Sequence, residues 1–507
     1  MWRIGFGLER LGLLALRWPV LFSVLFLIFS AITAYQVRNL SFNGSIIAVL
    51  PDQSQAYRDY EQLKNGYRNF ARDVTILVES DRLLTASGME DLRTLQLDVA
   101  LTDGVAQVRS IFSTPDLDPY TGEAKDWFPD EFTSDEQAAG LVKSLIAKYP
   151  QAASLFSVER KTAVMVASLS SDVEEDDKAS FEAYQALRTA AEEFAPKDFK
   201  LSFTGLTPVG AEVLSALISD QSVLTVFGLL LGTAIAFYIF RSLIAALICA
   251  IPPAITALWA FGLFAMFGIQ INYLTTVLPT LALILAFADG IFLYFKWQTS
   301  NALNDDLDAN LHDALVKVGP ASSLTSITTA IAFLSFSYAE SDALKEFAFL
   351  GAGVVTLAFL AVIIGLPITL HWIIRLGVIK PGKSRAPIFQ RVGKKARIVA
   401  MGRPVLVSVI GIVLVVVFGA LQHNVRANYS LTDYLPLDSD VRYGENLANE
   451  IIGGRGIIQI SVPFGEPDGF ASKANRARLE KVEELVRAQF PTNMIFSANA
   501  ILKNLKT

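Results

Sequence analysis

Seven long apolar runs decide what this chain can become. They cover roughly residues 18–37, 222–240, 243–267, 274–295, 318–338, 347–374 and 404–421. Most approach or exceed the ~20 residues that a helix rising ~1.5 Å per residue needs to cross ~30 Å of hydrocarbon. In that solvent an unpaired backbone polar group is costly, so runs of this kind fold as helices. The sequence therefore reads as a polytopic α-helical membrane protein. Its composition agrees, at 52% hydrophobic and only 18% charged, where a soluble chain is about a quarter charged.

The first run follows Arg3, Arg10 and Arg17, as a signal peptide would. Its apolar stretch is too long for a signal h-region and no small-residue cleavage site follows, so it reads as a retained span. Charge distribution sets the topology. From Arg375 to Arg403 the chain has nine Lys and Arg and no acid, which the positive-inside rule places in the cytoplasm. Residues 1–17 and 376–403 are then cytoplasmic, while 38–220 and 422–507 lie outside. The basic linker serves as a topology signal with some contact to anionic membrane lipids, and nucleic acid is not a partner. A single cysteine, Cys249 in a span, excludes an intrachain disulfide framework.

The chain also repeats itself. "PVLFSV" at 19–24 resembles "PVLVSV" at 404–409, and "RNLSFNGSIIAVLPDQS" at 38–54 resembles "HNVRANYSLTDYLPLDS" at 423–439. One offset of 385 relates both pairs, carrying Pro19 to Pro404, Asn43 to Asn428 and Pro51 to Pro436. The repeating unit is one span at 18–37, a large external domain at 38–220, and five spans within 221–375. A second unit begins with the span 404–421 and its external domain, 422–507, reads as cut short. The intact architecture expected is two six-span halves.

The first external domain alternates strand and helix signals. Residues 73–80 ("DVTILVES") read as a strand, and 85–101 as a helix with Met89, Leu92, Leu95 and Val99 on one face and Thr85 or Ser87 as cap. A strand at 104–114, a turn-rich loop at 115–132, a helix at 135–148, a strand at 162–169, a helix at 180–195 and a strand at 200–205 follow. Setting aside the inserted helix, the order is βαββαβ, a split βαβ, ferredoxin-like sandwich. The second copy starts similarly, with a strand at 456–462 and a helix near 471–489. Residues 304–318 form an amphipathic pattern, with Leu307, Leu311, Leu315 and Val318 on one face, expected as a cytoplasmic connector on the membrane surface.

Among the seven runs the only acid is Asp289, within "LALILAFADGIFLYF" at 281–295. Insertion scales charge an acid at a helix centre roughly 2.5–3.5 kcal/mol, and such residues mark ion or proton paths. The structural alternative is a carboxyl that stays protonated and only bonds a neighbour. The fifth run offers Ser322, Thr325, Ser326, Thr328 and Thr329; at helical spacing Ser322, Ser326 and Thr329 share a face. They are candidates to support the carboxyl, although small hydroxyl residues also pack helices in membranes. His312, His371 and His423 lack metal-ligand spacing, so no metal and no cofactor is expected.

At these residues the chain resembles the resistance-nodulation-division superfamily and its MMPL-type exporters. "ADGIFL" at 288–293 is similar to the family's Ala-Asp-x-x-His-Leu stretch, although Phe292 stands where some relatives have His and Gly290 where they often have Tyr. "VGPASSLTSITTAIAFLSFS" at 318–337 is similar to the family's hydroxyl-rich fifth span, and "LKEFAFLGAGVV" at 344–355 to its sixth-span entry. The resemblance implies a bacterial inner membrane transporter, not an enzyme. It exports a lipid or other hydrophobic substrate, driven by protons through Asp289, with its missing second half or an oligomeric partner completing the site. A counterpart acid or polar group falls beyond residue 507, and the chain is not expected to pump alone. A non-pumping lipid sensor or scaffold of the same architecture is the alternative, since one fold hosts several functions. An intramembrane aspartyl protease needs two acids where these runs hold one.

Overall fold

The computed structural model describes residues 7–8, 10–44, 72–117, 124–170, 177–301, 307–378, 397–422, 435–452, 460–464 and 472–489, with isolated positions at 55, 58, 59, 62, 173, 469 and 497. Two compact units emerge: a helical one from residues 1–54 and 217–429, and an α/β one from 55–216 and 430–507.

Among the described residues seven helices are long and apolar enough to cross a membrane: Pro19–Asn39, Leu206–Phe240, Leu243–Met266, Val277–Ser300, Asp308–Tyr338, Asp342–Arg375 and Pro404–Leu421. The second begins well before its apolar run, because residues 206–220 continue as helix at the end of the inserted domain. The stretch expected as a separate connector is the start of the fifth helix, Leu307–Leu334, with Leu311, Leu315 and Val318 buried in the bundle core. An apolar face that can pack on neighbouring helices gains more there than at a surface. Residues 304–306 lie outside the described residues.

Helix packing in the bundle uses small residues where backbones meet. A Cβ on Gly262 of the third span would stand 2.6 Å from the Cα of Thr33 in the first. Two indoles tie the first span to its neighbours, with Trp259 Nε1 of the third span donating to Ser30 Oγ at 2.9 Å and Trp372 Nε1 of the sixth to Ser23 Oγ at 2.8 Å. The sixth span contains a π-helical turn, Ala361–Gly365, just before Pro367. Proline has no N–H to give the carbonyl of Ile363 four residues back. Against that carbonyl rests the short helix Arg10–Arg17: a Cβ on Gly12 would lie 2.6 Å from the Ile363 oxygen. The seventh span, Pro404–Leu421, buries none of its residues.

The α/β unit contains β1 (Val74–Glu79), α1 (Ala86–Ala100), β2 (Val105–Arg109), β3 (Pro115–Leu117), β4 (Ala124–Asp126), α2 (Asp135–Lys148), β5 (Phe156–Ser157), β6 (Thr162–Leu169), α3 (Asp177–Phe194), β7 (Lys200–Thr204), α4 (Asp440–Ile452) and α5 (Lys473–Gln489). The main sheet runs β2-β6-β1-β7 with β5 beside β6, and every pairing is antiparallel. The strand expected at 104–114 ends at Arg109, where Ser110 caps a 3-10 turn, and the expected loop holds the short hairpin β3–β4. Most of the expected strand 456–462 lies outside the described residues, and 460–462 are described without strand structure.

Strand alternation divides the sheet. Val74, Ile76 and Val78 of β1 join Ala163, Met165 and Ala167 of β6 on one face, under Met89, Leu92, Leu95 and Val99 of α1 and Tyr184 and Leu187 of α3. Thr85 caps α1 by accepting from the Gly88 N–H at 3.1 Å. Leu77 and Val164 point to the other face, where Leu447 and Ala448 of α4 cover them. That helix approaches β7 closely, since a Cβ on Gly444 would lie 2.6 Å from the Phe203 carbonyl oxygen. Next to it Glu445, largely buried, accepts from the Thr204 hydroxyl and from Gly205 N–H. At one edge Arg82 binds Asp198 through Nε and Nη2, both at 2.9 Å, and Asp91 at 2.8 Å. The guanidinium and the Ser80 hydroxyl hold the Asp198 carboxyl down to about 2.

Candidate functional site

The fourth span, Val277–Asn301, owes its start to local chemistry. Asn272 Oδ1 accepts from the N–H groups of Leu274 and Thr275 at 2.9 and 3.0 Å, ordering the turn that leads in. Gln221 of the second span, mostly buried, accepts from the Thr276 hydroxyl at 2.9 Å and donates to Thr225 at 2.9 Å. This polar tie was not legible in the sequence, because only the bundle brings residues 221 and 276 together.

Along that helix Ala282, Ala286 and Leu293 face the core, and Asp289 lies beside them, half-buried. The next residue is Gly290, whose absent side chain leaves the third span's Cys249 carbonyl 3.9 Å from a built Cβ. From the fifth span the buried Ser322 donates its hydroxyl to Asp289 Oδ2 at 2.5 Å. That length is typical of an O–H group bonded to a carboxylate. A serine can donate to the charged carboxylate and accept from the neutral acid, so the pair stays satisfied in both proton states.

The other four hydroxyl candidates do not touch the carboxyl. Thr325, Thr328 and Thr329 bond carbonyls of their own helix, at Ala321, Leu324 and Thr325 respectively. Ser326 is half-buried one turn beyond Ser322. Thr325 and Thr328 are exposed, as are Ile284, Ala288 and Phe292 at four-residue spacing around Asp289. Within this unit the carboxyl therefore borders an uncovered face of the fourth and fifth spans. Among the described residues no group of three or more His, Cys, Asp or Glu could hold a metal. His371 on the sixth span instead faces Asp308 on the fifth helix, with Nδ1 3.5 Å from the carboxylate.

Residues 48–401 match the model of the MMPL family, which is most of the chain. No curated protein matches the sequence.

Proposed function

Because the chain belongs to the MMPL family, a group of RND-type transporters of hydrophobic substances and not of enzymes, we propose that it is a proton-driven exporter of a lipid or other amphiphile. Its seven candidate spans make it a multi-pass membrane protein. The observation that carries the exporter reading is Asp289, the one acid in the apolar centre of the spans, held by Ser322 at the edge of an uncovered helical face. A group that alternates between charged and neutral there couples proton entry to a change of conformation, provided that the two conformations bind the proton unequally.

The uncovered face is met, in this reading, by a second half of the same architecture, from the same chain or another. Support comes from the two repeat helices. Pro19–Gln36 and Pro404–Leu421 are both 18 residues long, both begin with proline, and both follow a residue of nearly the same backbone angles, at Trp18 and Arg403. The inserted domain is a split βαβ module: its four long strands lie in the order second, third, first, fourth. The domain lies outside the bacterial inner membrane and the N-terminus inside, as the basic segment 375–403 favours.

The test is export of a fluorescent amphiphile from vesicles containing the complete transporter under an imposed pH gradient. Asp289→Asn should abolish gradient-driven export while leaving the protein folded. Undiminished export by that variant would remove the proton-carrying role from Asp289, and a parent protein that exports nothing under the gradient would leave a lipid-sensing protein of the same architecture.

A further inference from the structure

Where the first span ends and the sixth begins, a cleft of about 510 Å³ opens among Asn43, Gln270, Asn272, Asp342 and Glu346. That is the size of a small-molecule site. Its wall is built, since Asn43 N–H bonds the Ile271 carbonyl and Ile271 N–H the Ser41 carbonyl, both at 2.9 Å. Asn272 is only 7% exposed. Its Oδ1 is identified by the backbone N–H groups of Leu274 and Thr275 that bond to it, because only the oxygen end can accept. Asn272 lines the cleft, and its Nδ2 end makes no hydrogen bond among the described residues. That end is not sealed from solvent, and it can donate to an acceptor that a ligand brings.

The lining residues of the sixth span have the reverse need. Asp342 is neutralised by Lys345 at 2.5 Å, but Glu346 has no cation beside it among the described residues, and no Lys or Arg lines the cleft. A ligand that satisfies both walls carries a positive nitrogen and, near it, an oxygen that accepts. Just before the lining residue Gly268 come Met266 and Phe267, and one helical turn after Glu346 comes Phe349, all large, apolar and more than half exposed. They offer contact to a hydrocarbon chain attached to that polar end.

We propose that this cleft binds the zwitterionic head group of a membrane amphiphile, its ammonium against Glu346 and its phosphate or ester oxygen on Asn272 Nδ2. This deepens the exporter reading, and only the cleft's role as a loading site rests on it. Binding needs no gradient and no transport.

The full chain in nanodiscs containing phosphatidylethanolamine and phosphatidylglycerol provides the test, with retained lipid counted by mass spectrometry. Phosphatidylethanolamine should be enriched, Glu346→Gln should weaken its retention about tenfold, as loss of a charged contact does, and Glu346→Lys should reverse the preference. Unchanged melting temperatures in both variants separate lost binding from lost folding. Equal retention of the two lipids, or a preference that survives Glu346→Gln, overturns the proposal. Glycerophosphoethanolamine, the same head without tails, separates the sources. If it competes as well as the lipid does, the ligand is a soluble zwitterion and the membrane source is overturned. None of these readings uses a proton gradient, so the failure of export and the failure of binding appear in different experiments.

Discussion

The Ser322 hydroxyl reaches from the fifth span to Asp289 Oδ2 on the fourth at 2.5 Å. If the two act as one unit, their substitutions are not additive. Ser322→Ala should slow gradient-driven export about tenfold, the effect of removing one hydrogen bond to a charged group. The same change added to Asp289→Asn should do nothing further. Thr325→Ala, whose hydroxyl bonds only its own helix, is the control with little effect. Initial rates in vesicles of the four variants give the comparison.

A second expectation concerns the covered back of the sheet. Leu447 is buried against Leu77 and Val164, so Leu447→Ala should destabilise the α/β unit by about 2–5 kcal/mol through lost transfer and a residual cavity. Hydrogen exchange should accelerate in β1, Val74–Glu79. Gly444→Val should act in the same direction, because its Cβ begins 2.6 Å from the Phe203 oxygen.

Acid should loosen the Arg82 cluster. The carboxyl of Asp198 sits at about 2 when folded against roughly 3.9 when unfolded. A depressed folded value means that the unfolded chain binds more protons, so this contribution is complete above pH ~4 and lost as pH falls toward 2. Melting curves over that interval should be flatter for Asp198→Asn than for the parent. Because the group is exposed, salt should shrink the difference.

The N-terminal helix invites a chemical test. Gly12 leaves no room for a side chain beside the Ile363 carbonyl, so Gly12→Val should push Arg10–Arg17 off the sixth span. Ala15 is fully buried and the single native cysteine, Cys249, is buried too. A maleimide should therefore spare Ala15→Cys and label it once Gly12→Val is added. Equal labelling of the two proteins would show that the helix already detaches.

What the sequence revealed was whatever periodicity encodes. Met89, Leu92, Leu95 and Val99 recur at helical spacing and do bury one face. Thr85 precedes that pattern and does cap it. Seven apolar runs became seven candidate spans. Among the site residues, Asp289 is conspicuous by its chemistry alone, but helical spacing narrowed the five hydroxyls only to the face of Ser322, Ser326 and Thr329, and the packing of the fifth span on the fourth selected Ser322 for contact. Gln221 with Thr276 and Gly12 with Ile363 were illegible, because each meeting depends on how separate helices pack. The helix α4 escaped notice as well. Its burial is justified only by a sheet hundreds of residues earlier.

That last distance has a consequence in time. The back of β1 and β6 is closed by residues 440–452, which leave the ribosome only after every span from the second to the seventh. At roughly 5–20 residues per second, Leu77 and Val164 stay uncovered for tens of seconds while the intervening spans are being inserted. During biogenesis the domain is thus an unfinished nascent structure with an open apolar flank. Its completion also reports that the helices between have been synthesised.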